Sequence, residues 1–253
     1  MRRMSVVLVL LTAGCVWADR LELVNHVDLW NGPVRSPDPA DVAYHSPSGR
    51  LLVADSEISE YGDLEDPATG EKVFTGVNVF ETTLDASDLH GAWLATPPDP
   101  KRSEPVGIAW HPGDGHIYIT DDDQKRIFRY PFEGTNNFGK PLASAYTSFD
   151  GRYTDPEGLA VDPLLGAFLV ASGSKEERVL RFRYDAPADT FRYVSDFAVA
   201  PHIADPEGIA IHPVTGHVFM VAGKGIAEFT STGGFDQVFD YGFLEGTGVT
   251  FVL

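Results

Sequence analysis

One short phrase returns along this chain and governs what it can fold into. It reads Asp155-Pro156-Glu157-Gly158-Leu159-Ala160-Val161, then Asp205-Pro206-Glu207-Gly208-Ile209-Ala210-Ile211. Looser copies occupy residues 38–44 and 104–110, and a last one occupies 245–251. Counted at the glycine place (Asp41, Gly107, Gly158, Gly208, Gly248), the copies lie 66, 51, 50 and 40 residues apart. Such a period marks a repeat architecture, in which no unit can bury its apolar face alone and neighbours must stack to form the core.

The residues after each phrase identify the unit. A proline and a glycine recur in one turn, at Pro47 and Gly49, Pro112 and Gly115, Pro163 and Gly166, and Pro213 and Gly216. Proline presets φ early in a turn, and the glycine supplies the left-handed residue that closes it. A β-branched and aromatic run comes next, as at Arg50-Leu51-Leu52-Val53-Ala54 and His217-Val218-Phe219-Met220-Val221. A third run alternates apolar and polar residues, as a strand with one wet face does. A more polar fourth run closes the unit, at residues 144–149 and 191–195 for example. Four strands per unit, the first the most apolar, make the blade of a β-propeller. The fold class is therefore all-β, with four complete four-stranded blades and an incomplete fifth.

The long first interval is a polar insertion at residues 57–75. In the fifth unit only 249–253 can form an inner strand, while residues 21–30 would serve as an outer strand in a ring closed by both termini. With the two strands between them missing, the reading is a C-terminally truncated relative of five- or six-bladed propellers. The alternative is four blades with the last strand capping an edge.

Two columns of the aligned phrases carry charge. Three places before the glycine stand Asp38, Glu104, Asp155, Asp205 and Glu245, one acid in every copy. A ring of carboxylates at one end of the channel repels itself unless protonated or bound to a cation, and its hard oxygens suit Ca²⁺. The competing reading is local: an acid before proline shapes its own turn. Immediately before the glycine, Glu157 and Glu207 stand where the other copies have Ala40, Val106 and Thr247. That inequality makes these two the first candidates for a ligand site. Asp55 and Asp121, at the ends of the second strands of blades 1 and 2, are further ligand-binding candidates, and Asp121-Asp122-Asp123 extends the acidity of the first half. Histidines 111, 116, 212 and 217 belong to the turns at the opposite end and read as turn structure. The sequence contains no HExxH, no GxSxG and no phosphate-cradling glycine loop, so no catalytic constellation is visible.

The N-terminus has the layout of an export signal: Arg2 and Arg3 precede an apolar run too short to span a bilayer. Cleavage after Ala18 would leave a single domain at residues 19–253, whereas an uncleaved apolar segment would pack into the fold. Alternatively, Leu11-Thr12-Ala13-Gly14-Cys15 resembles a lipobox, with Cys15 acylated as the mature N-terminus and a lipid anchor. Either way the expected location is extracytoplasmic, periplasmic or extracellular, and no later stretch reads as a transmembrane segment. Cys15 is the only cysteine, so no intrachain disulfide is available. Without residues 1–18 the chain carries 17 basic against 37 acidic side chains, a net −20. Such a surface repels nucleic acid and admits cations.

These repeats resemble the NHL, gluconolactonase-like and phytase-like β-propellers, and are most similar to exported bacterial propellers with an Ala54-Asp55-Ser56-Glu57 segment ahead of Asn78-Val79-Phe80-Glu81. The resemblance implies a divalent metal in the channel. In gluconolactonase-like members a Glu, two Asn and an Asp hold it; Glu157 or Glu207 matches the acidic member before the glycine, Glu104 stands near the Glu, and no asparagine occupies the aligned places. Phytase-like members bind several Ca²⁺ ions in acidic channels. Two functions are expected from this: a Ca²⁺-dependent module recognising a small-molecule or protein ligand at the acidic end, or a metal-dependent phosphoester or lactone hydrolase.

Overall fold

The computed structural model describes residues 10–12, 27–29, 33–56, 65, 69–70, 72, 77–95, 103–132, 155–173, 177–223, 225–240 and 247–252. Cys15, Glu245, the strand expected at 144–149 and most of the 57–75 insertion lie outside the described residues. Every regular element described is a strand, and among the described residues no helix is long and apolar enough to cross a membrane.

After β1 (Leu10–Thr12) come four antiparallel sheets in chain order. Blade 1 holds β2 (Pro39–His45), β3 (Arg50–Asp55), β4 (Val79–Thr82) and β5 (Leu89–Trp93). Blade 2 holds β6 (Pro105–His111), β7 (His116–Asp121) and β8 (Arg126–Pro131). Blade 3 holds β9 (Pro156–Asp162), β10 (Ala167–Ser172), β11 (Arg178–Asp185) and β12 (Thr190–Ala198). Blade 4 holds β13 (Gly208–Ile211), β14 (Val218–Ala222), β15 (Gly225–Phe229) and β16 (Phe235–Asp240). Each blade is a meander whose first strand is innermost, as the repeat predicts. The turn glycines 49, 115, 166 and 216 all have φ between 59° and 71°, the left-handed residues the sequence called for. In the same turns the Nδ1 atoms of His111 and His212 and the Asp162 carboxylate each accept two backbone N–H bonds. Their shared role is to close the hairpin.

Blades stack through apolar faces. Leu52 and Ala54 meet Ile117 and Ile119; Tyr118 meets Phe168 and Phe191; Leu169 and Val179 meet Ile209 and Met220. The fifth unit contributes β17 (Thr250–Val252), which runs parallel to β1. Val249 and Phe251 pack on Phe219 and Phe239 of blade 4, while Val252 packs on the cluster of Val42 and Leu51 in blade 1. One inner strand thus sits between blade 4 and blade 1. Of residues 21–30 only 27–29 are described; they are not strand, and Leu29 is buried against blade 1.

At the axis, the five phrases approach so closely that side chains are excluded. A Cβ on Gly158 would lie 2.7 Å from Gly208 Cα, and one on Gly248 would lie 2.8 Å from Asp41 Cα. Only blade 1 departs from glycine, and its Asp41 fills the space the others leave. Asp41 Oδ1 accepts the Val42 N–H at 2.9 Å, and Oδ2 accepts those of Ile108 at 3.0 Å and Leu159 at 3.3 Å. The Val249 N–H joins them. Burial nevertheless pushes this carboxyl well above the usual carboxylate range, outweighing the four backbone bonds that favour its charge.

Replacing Asp41 with Ala removes the acceptor of four buried N–H groups, each costly to leave unpaired. Urea unfolding is expected to show a loss on the order of 3 kcal/mol or more, with Asp41→Asn, which keeps one acceptor oxygen, losing less. An Asp41→Ala protein as stable as its parent would mean that those groups find other partners.

Candidate functional site

The phrase places side chains at the channel mouth through a β-bulge. Pro39 pairs with Asp55 and Asp41 with Ala54, so Ala40 is the extra residue; Val106 is extra in the same way between Pro105 and Gly107. In blade 3 the register shifts between Val170 and Ser172, so that Glu157 falls in the shift. A bulge re-aims the inserted side chain. The result is a floor of five residues, Ala40, Val106, Glu157, Glu207 and Thr247, all of which line one cavity of about 430 Å³.

The walls of this cavity are acidic. Asp38, Glu104, Asp122, Glu157, Asp205 and Glu207 line it, and among the described residues no basic or asparagine side chain does. Asp155 stands just behind: a Cβ on Gly173 would lie 2.9 Å from an Asp155 carboxylate oxygen and 3.0 Å from one of Asp205, so both carboxylates close on the same point. The backbone fixes this crowding. Gly158 N–H donates to the Glu207 carbonyl at 2.6 Å, and Thr120 Oγ1 donates to the Glu157 carbonyl at 2.7 Å. At the fifth phrase, Thr247 Oγ1 donates to the Pro39 carbonyl at 3.0 Å.

Electrostatics are set by that geometry. Burial first, then the charges of Glu207, Asp155, Asp122 and Glu104, push the Glu157 carboxyl up to about 10. It holds a proton at neutral pH. Asp122 is raised by burial as well, partly offset by its ion pair with Lys125. The cavity is short of positive charge, and its carboxylate oxygens are the hard donors that Ca²⁺ or Mg²⁺ takes.

The structure separates the sequence candidates by position. Glu157, Glu207, Asp38, Glu104 and Asp205 come together at the mouth, with Asp155 beside them. Asp55 and Asp121 stand behind, fully buried and away from the cavity lining. Asp55 Oδ2 accepts from Ser36 Oγ at 2.6 Å and from the Asp38 N–H at 3.0 Å. Asp121 repeats the arrangement with Ser103 Oγ at 2.8 Å and the Glu104 N–H. Each pins the phrase that carries a mouth acid. Asp122 is the lining residue that sequence reading passed over. In blades 1 to 3 the residue after the second strand donates its N–H to the acid's carbonyl, Ser56 to Asp38, Asp122 to Glu104 and Gly173 to Asp155. Aligning that column would have found it.

No protein-family model and no curated protein matches the chain. Solved structures do. A gluconolactonase of Xanthomonas campestris, described as important in secondary glucose metabolism, superposes with a TM-score of 0.51 at 15% identity, over 79% of this chain and 60% of that one. A candidate gluconolactonase from structural genomics gives 0.52 at 16% identity, over 79% and 63%. What these structures share with the chain is the β-propeller fold. A chain of a nidogen–laminin complex matches at 0.49 and 17% identity, over 69% of this chain and 62% of its own. The chain spans under two thirds of the length of each of these structures.

Glu157 gives a pH dependence whose sign is fixed. Its folded carboxyl keeps a proton that the unfolded chain releases above about pH 4.3. From there up to about 10 the native state binds more protons, so stability falls as pH rises. In chelator, Glu157→Gln is expected to flatten this slope and to raise Tm at pH 8 by roughly 2–6 °C. Thermal melts between pH 5 and 9 check it; an unchanged slope would show that Glu157 ionises in the folded state much as it does in the unfolded chain.

Proposed function

We propose that this chain is an exported β-propeller binding module whose acidic channel mouth takes a divalent cation, Ca²⁺, and recognises its ligand there. One observation carries the reading: six carboxylates line a single cavity without a basic side chain among its described lining, crowded enough to keep Glu157 protonated. Carboxylates in that state are stabilised by a cation more than by any neutral ligand. Asp38, Glu104, Asp122, Glu157, Asp205 and Glu207 would supply the oxygens. The N-terminal signal layout supports export, to compartments where Ca²⁺ reaches millimolar levels and weak oxygen-rich sites fill. The ligand, a small molecule or a protein, is one that an acidic, cation-loaded mouth attracts.

A second reading rests on a different observation. Glu157 carries a proton while facing Glu207 and several other acids, and carboxyl groups whose environments differ in this way are the usual acid and base of a hydrolase. The solved gluconolactonase makes a lactone a reasonable substrate to assay, as does a phosphoester. The absence of asparagine from the described lining favours the binding module.

A cation bound only by the native state raises the melting temperature. Calcium at one hundred times its dissociation constant adds about 2.7 kcal/mol, a shift of roughly 5–10 °C for a chain of this size. The double variant Glu157→Gln/Glu207→Gln should lose that shift. No shift at millimolar Ca²⁺ or Mg²⁺ would sink the cation site. Lactone or phosphoester turnover that requires metal and disappears in the double variant would replace the binding module with the hydrolase.

A further inference from the structure

A second constellation lies at the other end of blade 4 and is independent of the channel mouth. Blade faces alternate in a regular way. One residue of each second strand faces the next blade, and its partner on the third strand shares that face: Leu52 with Glu81, Tyr118 with Arg129, Leu169 with Arg181, Phe219 with Glu228. In blades 2 and 3 this partner is an arginine that reaches across. Arg129 lies over the Tyr184 ring at 5.1 Å, and Arg181 Nη2 donates to the Ser231 carbonyl at 2.7 Å. Blade 4 has an acid instead, and the unit it faces contributes, among the described residues, only 247–252.

Beside Glu228 stand a histidine and a second acid from neighbouring strands. His217 Nδ1 is 2.7 Å from Glu228 Oε1 and 4.0 Å from Asp236 Oδ2, and the three ligand atoms lie within 4.8 Å of one another. Gln237 Nε2 donates to the other Glu228 oxygen at 2.8 Å and fixes the carboxylate. The turn histidines differ: Nδ1 of His111 and of His212 is occupied by two backbone N–H groups. At the place of His217, blade 1 has Arg50, a permanent cation. Blade 4 pairs its two acids with an imidazole, which is a cation only when protonated and a metal ligand when neutral.

We propose that His217, Glu228 and Asp236 form a surface site for a divalent transition metal of the zinc class, with a fourth position open to solvent. Bonds of about 2.0–2.1 Å in tetrahedral geometry set ligand atoms roughly 3.3 Å apart. The His217–Glu228 separation then opens by roughly half an ångström and the His217–Asp236 separation closes by about as much. Asp236 can make that move, since its side chain is 45% exposed. Glu228 on β15, Asp236 on β16 and His217 just before β14 hold the donors, and the hydrogen bond from Gln237 is the kind of outer support that metal-bound carboxylates use.

Calorimetric titration with Zn²⁺, together with Co²⁺ absorption, tests the site. With the channel mouth saturated by millimolar Ca²⁺, wild type and Glu157→Gln/Glu207→Gln are expected to bind one Zn²⁺ alike, and Co²⁺ to show the visible bands of a four-coordinate ion. His217→Ala and, separately, the exposed Asp236→Asn should each weaken binding at least tenfold, with His111→Ala unchanged. Zinc affinity equal to wild type in both His217→Ala and Asp236→Asn, affinity lost only in the Glu157/Glu207 variant, or no binding below millimolar Zn²⁺ would each overturn the proposal.

Discussion

The hydrogen bonds to Asp41 are the constraint on which the rest of the ring depends. In each four-stranded sheet the innermost strand is an edge, whose inward-facing N–H groups have no partner of their own. Channel water satisfies such groups in an open pore. Here the N–H groups of Val42, Ile108, Leu159 and Val249, from four of the five phrases, converge on one carboxyl group. The tie reaches blades that are far apart in sequence, since Leu159 lies 118 residues from Asp41. It also includes the fifth unit, which brings only an inner strand to the ring among its described residues. Burying a carboxyl group so completely is expensive, and its raised proton affinity is the measure of that cost.

A carboxyl group on the axis dictates what its neighbours can be. Gly158, Gly208 and Gly248 have no room for a Cβ, because each faces backbone of the next phrase at under 3 Å. The same carboxyl stands between two chambers. Ala40, one residue before Asp41, lines the acidic cavity; Val42, one residue after, lines a smaller apolar one of about 150 Å³ with Trp110, Val161 and Phe251. The charged chamber and the apolar chamber are therefore built from alternate ends of the same strands. The bulge at the entry of the inner strands of blades 1 to 3 is the device that lets residue 157 look into the cup, while residue 159 enters the core two places later.

Much of this was legible in the sequence because it is repeated. Turn glycines, strand runs and the phrase itself recur at fixed offsets, and a backbone requirement that recurs leaves the same residue type each time. The acid before proline was legible for the same reason, as was the inequality that singles out Glu157 and Glu207. What stayed hidden was whatever breaks the repeat once. Asp41 looked like a degenerate copy of glycine, although it is the residue the glycines make room for. Asp55 and Asp121 looked like ligands because they are acids at strand ends; their burial and their bonds to the Asp38 and Glu104 N–H groups are tertiary facts that no spacing encodes. Asp122 was masked by its two flanking acids, neither of which lines the cavity. The His217–Glu228–Asp236 group spans three strands, so its members never appear together in a linear reading.

The asymmetry of the cup then matters more than its acidity. A ring with one acid per blade has no preferred direction, and any cation attracted to it could sit on the axis. The bulge column removes that equivalence. Ala40, Val106 and Thr247 bring no carboxyl group to one side of the floor, while Glu157 and Glu207 bring theirs to the side where Gly158 N–H and the Glu207 carbonyl bind adjacent phrases together at 2.6 Å. Asp122, Asp155 and Glu104 reinforce that same side, as their effect on Glu157 shows. On the proposed reading, positive charge is drawn off the axis toward Glu157 and Glu207 of blades 3 and 4. Orientation in this cup comes from residues that differ between repeats, on a frame held in place by those that do not.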